Sequence, residues 1–163
     1  MEVKRRNVHI IDDYPHVPVT IPNIISPSPF YSHDFEHPHQ DICLDLIKIS
    51  QHYFPTKGSG YEYQVNYNSR PPTWHIDRDV VYYNQTGENH LPICSIVLYY
   101  DIHPDLVTGE LNIDNQMLIR PKNQRIVIFG PGIVHKVEDF DLPRTSIAVL
   151  PWIKSPLPQT SSP

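Results

Sequence analysis

The chain has 163 residues and a formal net charge of −5 at pH 7, and Lys4-Arg5-Arg6 is its only basic run. This length favours one hydrophobic core, so we expect a single domain over residues 1–154. The acidic balance argues against nucleic-acid binding, which needs positive charge along one face. Residues 155–163 are rich in proline and serine and are expected to form a flexible tail.

Two sequence features bear on location. No run of 18 apolar residues occurs, and the N-terminus lacks the apolar segment of a signal peptide, so we expect neither membrane insertion nor secretion. Cys43 falls in a helical pattern and Cys94 in a strand pattern. We interpret them as reduced, buried side chains of a cytoplasmic protein.

The first part of the chain predicts short strands and one helix. Asn7–Asp12 and Val17–Ile21 are rich in β-branched residues, and the stretch from Ser26 to Gln40 reads as an irregular connection. Asp41 is placed to cap a helix that continues to about Tyr53. Four apolar side chains recur there at helical spacing: Ile42, Leu46, Ile49 and Tyr53. This helix should pack against the outside of a sheet.

After Gly60 the period changes to two, which predicts strands. Residues 61–67 alternate aromatic or apolar with polar side chains, residues 68–73 form a turn, and Trp74 begins the next strand. The remaining predicted strands cover residues 93–100, 109–111, 117–120, 124–129 and 144–152. So many short strands with one early helix predict a mainly β fold, a sandwich or a flattened barrel.

The motif His-x-Asp occurs three times, starting at His39, His75 and His103. The first precedes a helix that Asp41 can cap, and the third contains a proline that would interrupt a strand. The middle pair follows an alternating strand. Because side chains two apart in a strand project to the same side, His75 and Asp77 are predicted to bind one metal ion.

A second histidine from a distant strand would complete the metal site, and His135 is our candidate. Two imidazoles and one carboxylate with open positions opposite suit a non-haem Fe(II) oxygenase. His75, Asp77 and His135 are therefore predicted as both metal ligands and catalytic residues.

The order of motifs along residues 61–153 resembles the 2-oxoglutarate and Fe(II)-dependent oxygenases, and most of all their prolyl-hydroxylase-like branch. The motifs are His75-x-Asp77, Ser95-Ile-Val-Leu-Tyr-Tyr-Asp101, Thr108-Gly-Glu-Leu111, Arg120-Pro-Lys122 leading to Arg125-Ile-Val-Ile-Phe129, His135, and Arg144-Thr-Ser-Ile-Ala-Val149. The resemblance implies a double-stranded β-helix of the jelly-roll or cupin kind, with the N-terminal helix on the outside.

Beyond the metal, the predicted co-substrate residues are Arg144, Ser146 and Tyr67. Arg144 is nine residues after the last metal ligand and would hold the far carboxylate of 2-oxoglutarate as a bidentate partner. Ser146, two residues on, shares its face of the strand and can donate to the same carboxylate. The family often adds a tyrosine from the strand before the first metal histidine. Asn66-Tyr67 resembles that position, with Tyr63 as the fallback.

The activity implied by the resemblance consumes dioxygen, oxidatively decarboxylates 2-oxoglutarate to succinate and hydroxylates an unactivated C–H. The implied substrate is a protein or peptide residue, including proline, while a free amino acid or small metabolite stays open. Trp74, Arg78 and residues 82–90 are candidates for contact with it. Asp77 disfavours halogenation, and no second arginine follows Arg144 as a nucleic-acid demethylase would require.

Two readings compete with an enzyme. The chain could be a cupin-like barrel that binds a metal or ligand without turnover, although such a barrel has no need of the Arg144-x-Ser146 anchor. Alternatively, His33, His37 and His39 could bind zinc, but their spacing is irregular and no cysteine is near. The sequence does not indicate an oligomeric state.

Overall fold

A computed structural model describes residues 7–16, 30–67 and 73–158. Within these ranges the chain forms strands and two helices in the order β1 (Val8–Ile11), β2 (Phe30–Ser32), α1 (Gln40–Ser50), β3 (Gly60–Tyr67), α2 (Val80–Thr86), β4 (Ser95–Ile102), β5 (Leu111–Ile113), β6 (Met117–Ile119), β7 (Arg125–Phe129), β8 (His135–Val137) and β9 (Arg144–Trp152).

The strands form two antiparallel sheets. The larger sheet has the order β1-β7-β4-β9-β3-β2, and the smaller has the order β6-β5-β8. Consecutive strands are often not neighbours, because β9 inserts between β3 and β4 while β7 returns beside β4. The predicted mainly β, jelly-roll-like architecture is confirmed.

One hydrophobic core lies between α1 and the larger sheet, on the face that we call the outer face. The helix contributes Cys43, Leu46 and Ile47 to it, all buried. The sheet contributes alternate residues of its strands: Tyr61, Tyr63, Val65, Ile96, Leu98, Ile126, Ile128, Ile147 and Val149. Burial of this apolar area explains why β3 alternates and why α1 packs outside the sheet, as predicted.

The second core lies between the two sheets, on the inner face of the larger sheet. Tyr99, Val127 and Phe129 of the larger sheet pack there with Leu111 and Ile113 of β5. Alternate residues of the same strands thus point to opposite faces of the larger sheet and pack into the two different cores. The inner face is the one that lines the barrel and so can present a site.

Several local predictions need correction. The helix begins at Gln40 with His39 as its N-cap, so Asp41 lies in the first turn, where a carboxylate favours the positive end of the helix dipole. The helix ends at Ser50, and the chain continues through a turn in which Tyr53 N–H donates to the Ser50 carbonyl. The connection from Ser26 to Gln40 contains β2, an edge strand paired with β3.

The predicted strand from Trp74 is also wrong. Only His75 there pairs with another strand, through an isolated bridge to His135. The polar stretch after it contains α2. The Asp79 carboxylate caps the start of this helix by accepting a hydrogen bond from Tyr82 N–H, and Gly87, with φ 75°, ends it. None of the α2 side chains is buried, so the helix has no apolar stripe from which to predict it.

Some predictions fall outside the described residues. The strand at Val17–Ile21 is one, and the turn at residues 68–72 is another. In the tail, Leu157 N–H donates to the Asp79 carboxylate at 2.6 Å. The domain limits and the flexibility of residues 155–163 stay predictions. Neither α1 nor α2 is long and apolar enough to cross a lipid bilayer.

Candidate functional site

The structure brings His75, Asp77 and His135 together. His75 and His135 exchange backbone hydrogen bonds of 3.0 and 2.9 Å, which fixes their Cα atoms side by side. His75 Nε2 lies 3.5 Å from Asp77 Oδ1, and His135 Nε2 lies 3.6 Å from Asp77 Oδ2. One potential ligand atom from each residue lies within 4.8 Å of the other two. This is the only such group in the residues that the structure describes.

Backbone carbonyls orient both imidazoles. His75 Nδ1 lies 2.8 Å from the Thr73 carbonyl oxygen, and His135 Nδ1 lies 2.9 Å from that of Ile133. A carbonyl accepts only from a protonated nitrogen, so each Nδ1 carries hydrogen and each Nε2 is left with a lone pair. That is the tautomer that a metal-binding histidine needs.

The carboxylate of Asp77 is likewise held in place. The buried Ser95 hydroxyl donates to Asp77 Oδ2 at 2.5 Å. Burial alone would raise the pKa of Asp77, but hydrogen bonds from His75 and Ser95 and the nearby His135 keep that pKa below its usual value. The His75 pKa is raised, chiefly by its hydrogen bond to Asp77, whereas burial lowers the pKa of His135.

The donor set fits a divalent metal such as Fe(II). A metal about 2.1 Å from each donor places adjacent ligands about 3 Å apart, so the observed 3.5 and 3.6 Å separations need only a small contraction. Two neutral imidazoles and one carboxylate are the ligands of a facial triad. The residues present therefore fit the predicted metal.

Arg144 and Ser146 lie on the inner face, close to Tyr99. Ser146 is directly opposite Tyr99 in the β4–β9 register, so the two side chains share a face. The Arg144 guanidinium carbon lies 5.2 Å from the centre of the Tyr99 ring and 5.3 Å from that of Phe140. Tyr99, Arg144 and Ser146 are all buried, so they form a polar group within the inner core, which we call the inner-face pocket.

Two backbone features shape the surroundings of Arg144. A bulge at Asp101, with φ 55°, shifts the register so that Ile102 joins the inner core opposite Arg144. Gly109 has φ 78°, and a Cβ there would lie 3.3 Å from Arg144 Cδ and 3.0 Å from Phe140 Cβ. The glycine of the Thr-Gly-Glu-Leu motif thus leaves room for the arginine.

The structure does not bring Tyr67 to this pocket. Tyr67 pairs with Thr145, whose side chain projects to the opposite side from Arg144 and Ser146, and 48% of Tyr67 is exposed. The fallback Tyr63 also lies on the outer face, where it stacks on His37 with ring centres 4.6 Å apart. Asn66 is the β3 residue opposite Ser146.

Tyr99 is the inner-face tyrosine that the sequence analysis did not select. Its hydroxyl is buried and makes no hydrogen bond to any residue in the described part of the chain. Burial raises the pKa of Tyr99, while the neighbouring Arg144 acts in the opposite direction. A protonated phenol beside a guanidinium offers an additional donor to an anion bound there. Tyr99 and Ser95 both belong to the motif Ser95-Ile-Val-Leu-Tyr-Tyr-Asp101. They are four residues apart on one strand and so share a face, and this spacing could have identified both as candidates for the site.

The other candidates have local partners. Arg78 lies 3.6 Å above the Tyr83 ring and donates to Asn89, while Trp74 is 41% exposed at the site margin. The histidines proposed for zinc pack among tyrosines. His37 Nε2, for example, lies 2.6 Å from the Tyr61 hydroxyl oxygen, and they form no metal-binding group among the residues that were described.

Comparisons with known proteins establish the fold. No protein-family model matches the chain, and no curated protein does. Among solved structures, the chain is similar to a Pseudomonas putida prolyl-4-hydroxylase with a TM-score of 0.63 and 11% identity, over 93% of this chain and 95% of that one. It is also similar to a Trichoplax adhaerens prolyl hydroxylase in complex with a hypoxia inducible factor oxygen degradation domain peptide fragment. That TM-score is 0.54 with 15% identity, over 91% of this chain and 84% of the other. The predicted likeness to prolyl-hydroxylase-like oxygenases is confirmed at the level of the fold.

Proposed function

We propose that the protein is an Fe(II)- and 2-oxoglutarate-dependent dioxygenase that hydroxylates an unactivated C–H. The observation that carries the proposal is the grouping of His75, Asp77 and His135 with correctly oriented donors, in a barrel whose inner face also carries the buried Arg144. The fold shared with prolyl-4-hydroxylases supports it. A fold hosts many functions, so the site and not the fold must be tested.

Four residues would hold and orient the metal. His75 Nε2, His135 Nε2 and the Asp77 carboxylate bind the metal, and the Ser95 hydroxyl keeps the carboxylate turned toward it. Three remaining positions stay open for the co-substrate and dioxygen. When bound, these groups supply the oxidation, in which 2-oxoglutarate gives succinate and carbon dioxide and the substrate gains a hydroxyl group.

The inner-face pocket would orient 2-oxoglutarate. The Arg144 guanidinium can bind the far carboxylate in a bidentate manner, with the hydroxyls of Ser146 and Tyr99 as further donors. The apolar packing around this pocket lowers the local dielectric and strengthens the charge pairing. Tyr67 lies on the opposite face, so we assign its expected role to Tyr99.

The proposed substrate is a protein or peptide residue, including proline, or a free amino acid. The peptide complex of the Trichoplax adhaerens prolyl hydroxylase supports a peptide. We also propose a cytoplasmic location, with which two buried, unpaired cysteines agree. The alternative is a cupin-like barrel that binds a metal or ligand without turnover.

The test is an anaerobic titration of the apoprotein with Fe(II) and 2-oxoglutarate, followed by the visible charge-transfer band of a chelated keto acid. Arg144→Ala removes charge-assisted hydrogen bonds worth about 1.5–3 kcal/mol each, so half-saturation should need at least about 10-fold more 2-oxoglutarate. Arg120→Ala, at an exposed position, is the matched control and should titrate like the wild type. Absence of the band in the wild type would favour the non-catalytic barrel.

A further inference from the structure

Glu62 is a carboxylate on the inner face of β3 that the proposed chemistry does not use. Its neighbours Tyr61 and Tyr63 pack on the outer face, and its own carboxylate accepts from Trp152 Nε1–H at 3.0 Å. Glu62 pairs with Leu150 across the β3–β9 register. Because residues directly opposite one another share a face, the side chains of Glu62 and Leu150 project together into the barrel.

Glu62 lies at the same level of the barrel as the metal ligands. Ile96 pairs with Val149, so the preceding residue of β4, Ser95, comes to the level of Leu150. Ser95 in turn holds Asp77. Glu62 is thus two strands, or about 10 Å, from Ser95 across the inner face. This is near enough for the Asp77 and Asp79 carboxylates to contribute to its pKa.

The other end of the inner face belongs to the co-substrate pocket. On β3 the inward positions after Glu62 are Gln64 and Asn66, and Asn66 is the one opposite Ser146. Four residues of extended strand, about 13 Å, separate Glu62 from that position. Glu62 therefore lies at the metal end of the inner face, away from the position proposed for the far carboxylate of 2-oxoglutarate, and a substrate that reaches the metal must pass close to it.

The charge of Glu62 has no partner among the described residues. In the part of the chain that the structure describes, its carboxylate accepts a hydrogen bond only from Trp152, and no lysine, arginine or histidine there forms an ion pair with it. Burial raises the pKa of Glu62 to about 7, and nearby carboxylates add to this effect. A neutral glutamine would accept the hydrogen bond from the Trp152 indole N–H equally well. The bond to Trp152 therefore explains why residue 62 carries a hydrogen-bond acceptor, but it does not explain why that acceptor is a carboxylate.

We propose that Glu62 binds a positively charged amino or guanidinium group of the substrate, which makes the substrate an amine-bearing molecule that is hydroxylated near that group. The inference rests on the proposed dioxygenase function and narrows its substrate class. The free Oε1 of Glu62 accepts the hydrogen bond from the cation while Oε2 keeps its bond to Trp152. Leu150 beside it provides apolar contact for the carbon skeleton.

The cation has two sources, a free α-amino group or a basic side chain, and three sets of probes distinguish them. Amides of neutral amino acids, L-prolinamide among them, carry only the α-ammonium. Nα-acetyl amides of lysine and arginine carry only the side-chain cation. Nα-acetyl amides of proline and leucine carry no charge. Affinities are measured by calorimetry on the anaerobic protein loaded with Fe(II) and 2-oxoglutarate.

One cationic set is expected to bind at least about 10-fold more tightly than the uncharged set, and Glu62→Gln should abolish that preference. Glutamine keeps an acceptor for Trp152, so the fold is preserved. Glu36→Gln, which removes one exposed negative charge away from the proposed site, is the matched control and should keep the preference. If α-ammonium probes bind, the substrate is a free amino acid or an N-terminus; if blocked lysine or arginine binds, it is a basic residue.

The proposal is overturned if uncharged probes bind as tightly as cationic ones, if no cationic probe binds, or if Glu62→Gln retains the preference. The chelate band is recorded on the same wild-type sample. Its absence refutes the dioxygenase function, whereas its presence without cation preference refutes only the role of Glu62. The band in the Glu62→Gln protein shows that its metal and co-substrate site still assembles.

Discussion

Replacing Ser95 by alanine tests how far the proposed metal site depends on residues that would not touch the metal. The Ser95 hydroxyl donates to Asp77 Oδ2 at 2.5 Å and is buried, so no water can replace it easily. A hydrogen bond to a charged group contributes about 1.5–3 kcal/mol. At 1.4 kcal/mol for each factor of ten, the loss corresponds to about 10- to 100-fold weaker Fe(II) binding, the range found for such supporting residues.

The assay is an anaerobic competition between the apoprotein and a chelator of known Fe(II) affinity. Ser50→Ala is the matched control, because Ser50 is equally buried but donates to the Ile47 carbonyl within α1. It should alter stability and leave Fe(II) affinity unchanged. Equal losses of affinity in the two variants, or none for Ser95→Ala, would refute the reasoning that the Ser95 hydroxyl positions Asp77.

Two further predictions concern stability. Arg125 lowers the Asp12 pKa from 3.8 to about 2 by a hydrogen bond, so the folded state gains stability above pH 4 and loses it as the pH falls toward 2. Asp12→Asn should cost at most about 1 kcal/mol at pH 7, and a urea titration series should show that the difference from wild type disappears by about pH 2. Gly60→Ala would place a Cβ against the Tyr31 carbonyl oxygen and should cost about 1–3 kcal/mol in urea unfolding. Gly130→Ala, whose nearest contact would be 3.5 Å, should be almost neutral, and equal costs would contradict the steric argument.

The sequence predicted strands well where alternation was strong, yet alternation alone could not say which face meets the site. In β3 the tyrosines alternate with polar residues, and Tyr67 was chosen for the pocket because the family resemblance implies a tyrosine on this strand. Tyr61 and Tyr63 in fact lie under α1, Tyr67 on the same face is largely exposed, and Glu62 and Asn66 face the barrel. From sequence, a polar face that lines a pocket looks the same as one that meets water. Only the pairing of β3 with β9 distinguishes them.

The grouping of His75, Asp77 and His135 was predicted although the strand that was supposed to carry the first two is absent. His75 makes one bridge to His135, and the chain then turns into α2. The spacing of His75 and Asp77 still places both side chains on one side, since a short extended segment alternates like a strand. The α2 helix was missed because its seven residues bury no side chain, although Asp79 and Gly87 are typical helix-ending residues.

The backbone pair between His75 and His135 also bears on aggregation. The smaller sheet has the order β6-β5-β8, so one side of β8 would be an open edge if nothing covered it. His75 covers it, by donating to and accepting from His135. Open strand edges recruit other chains. A metal that ties His75 to His135 would therefore keep this edge closed, and we expect the metal-free protein to be the form more prone to self-association.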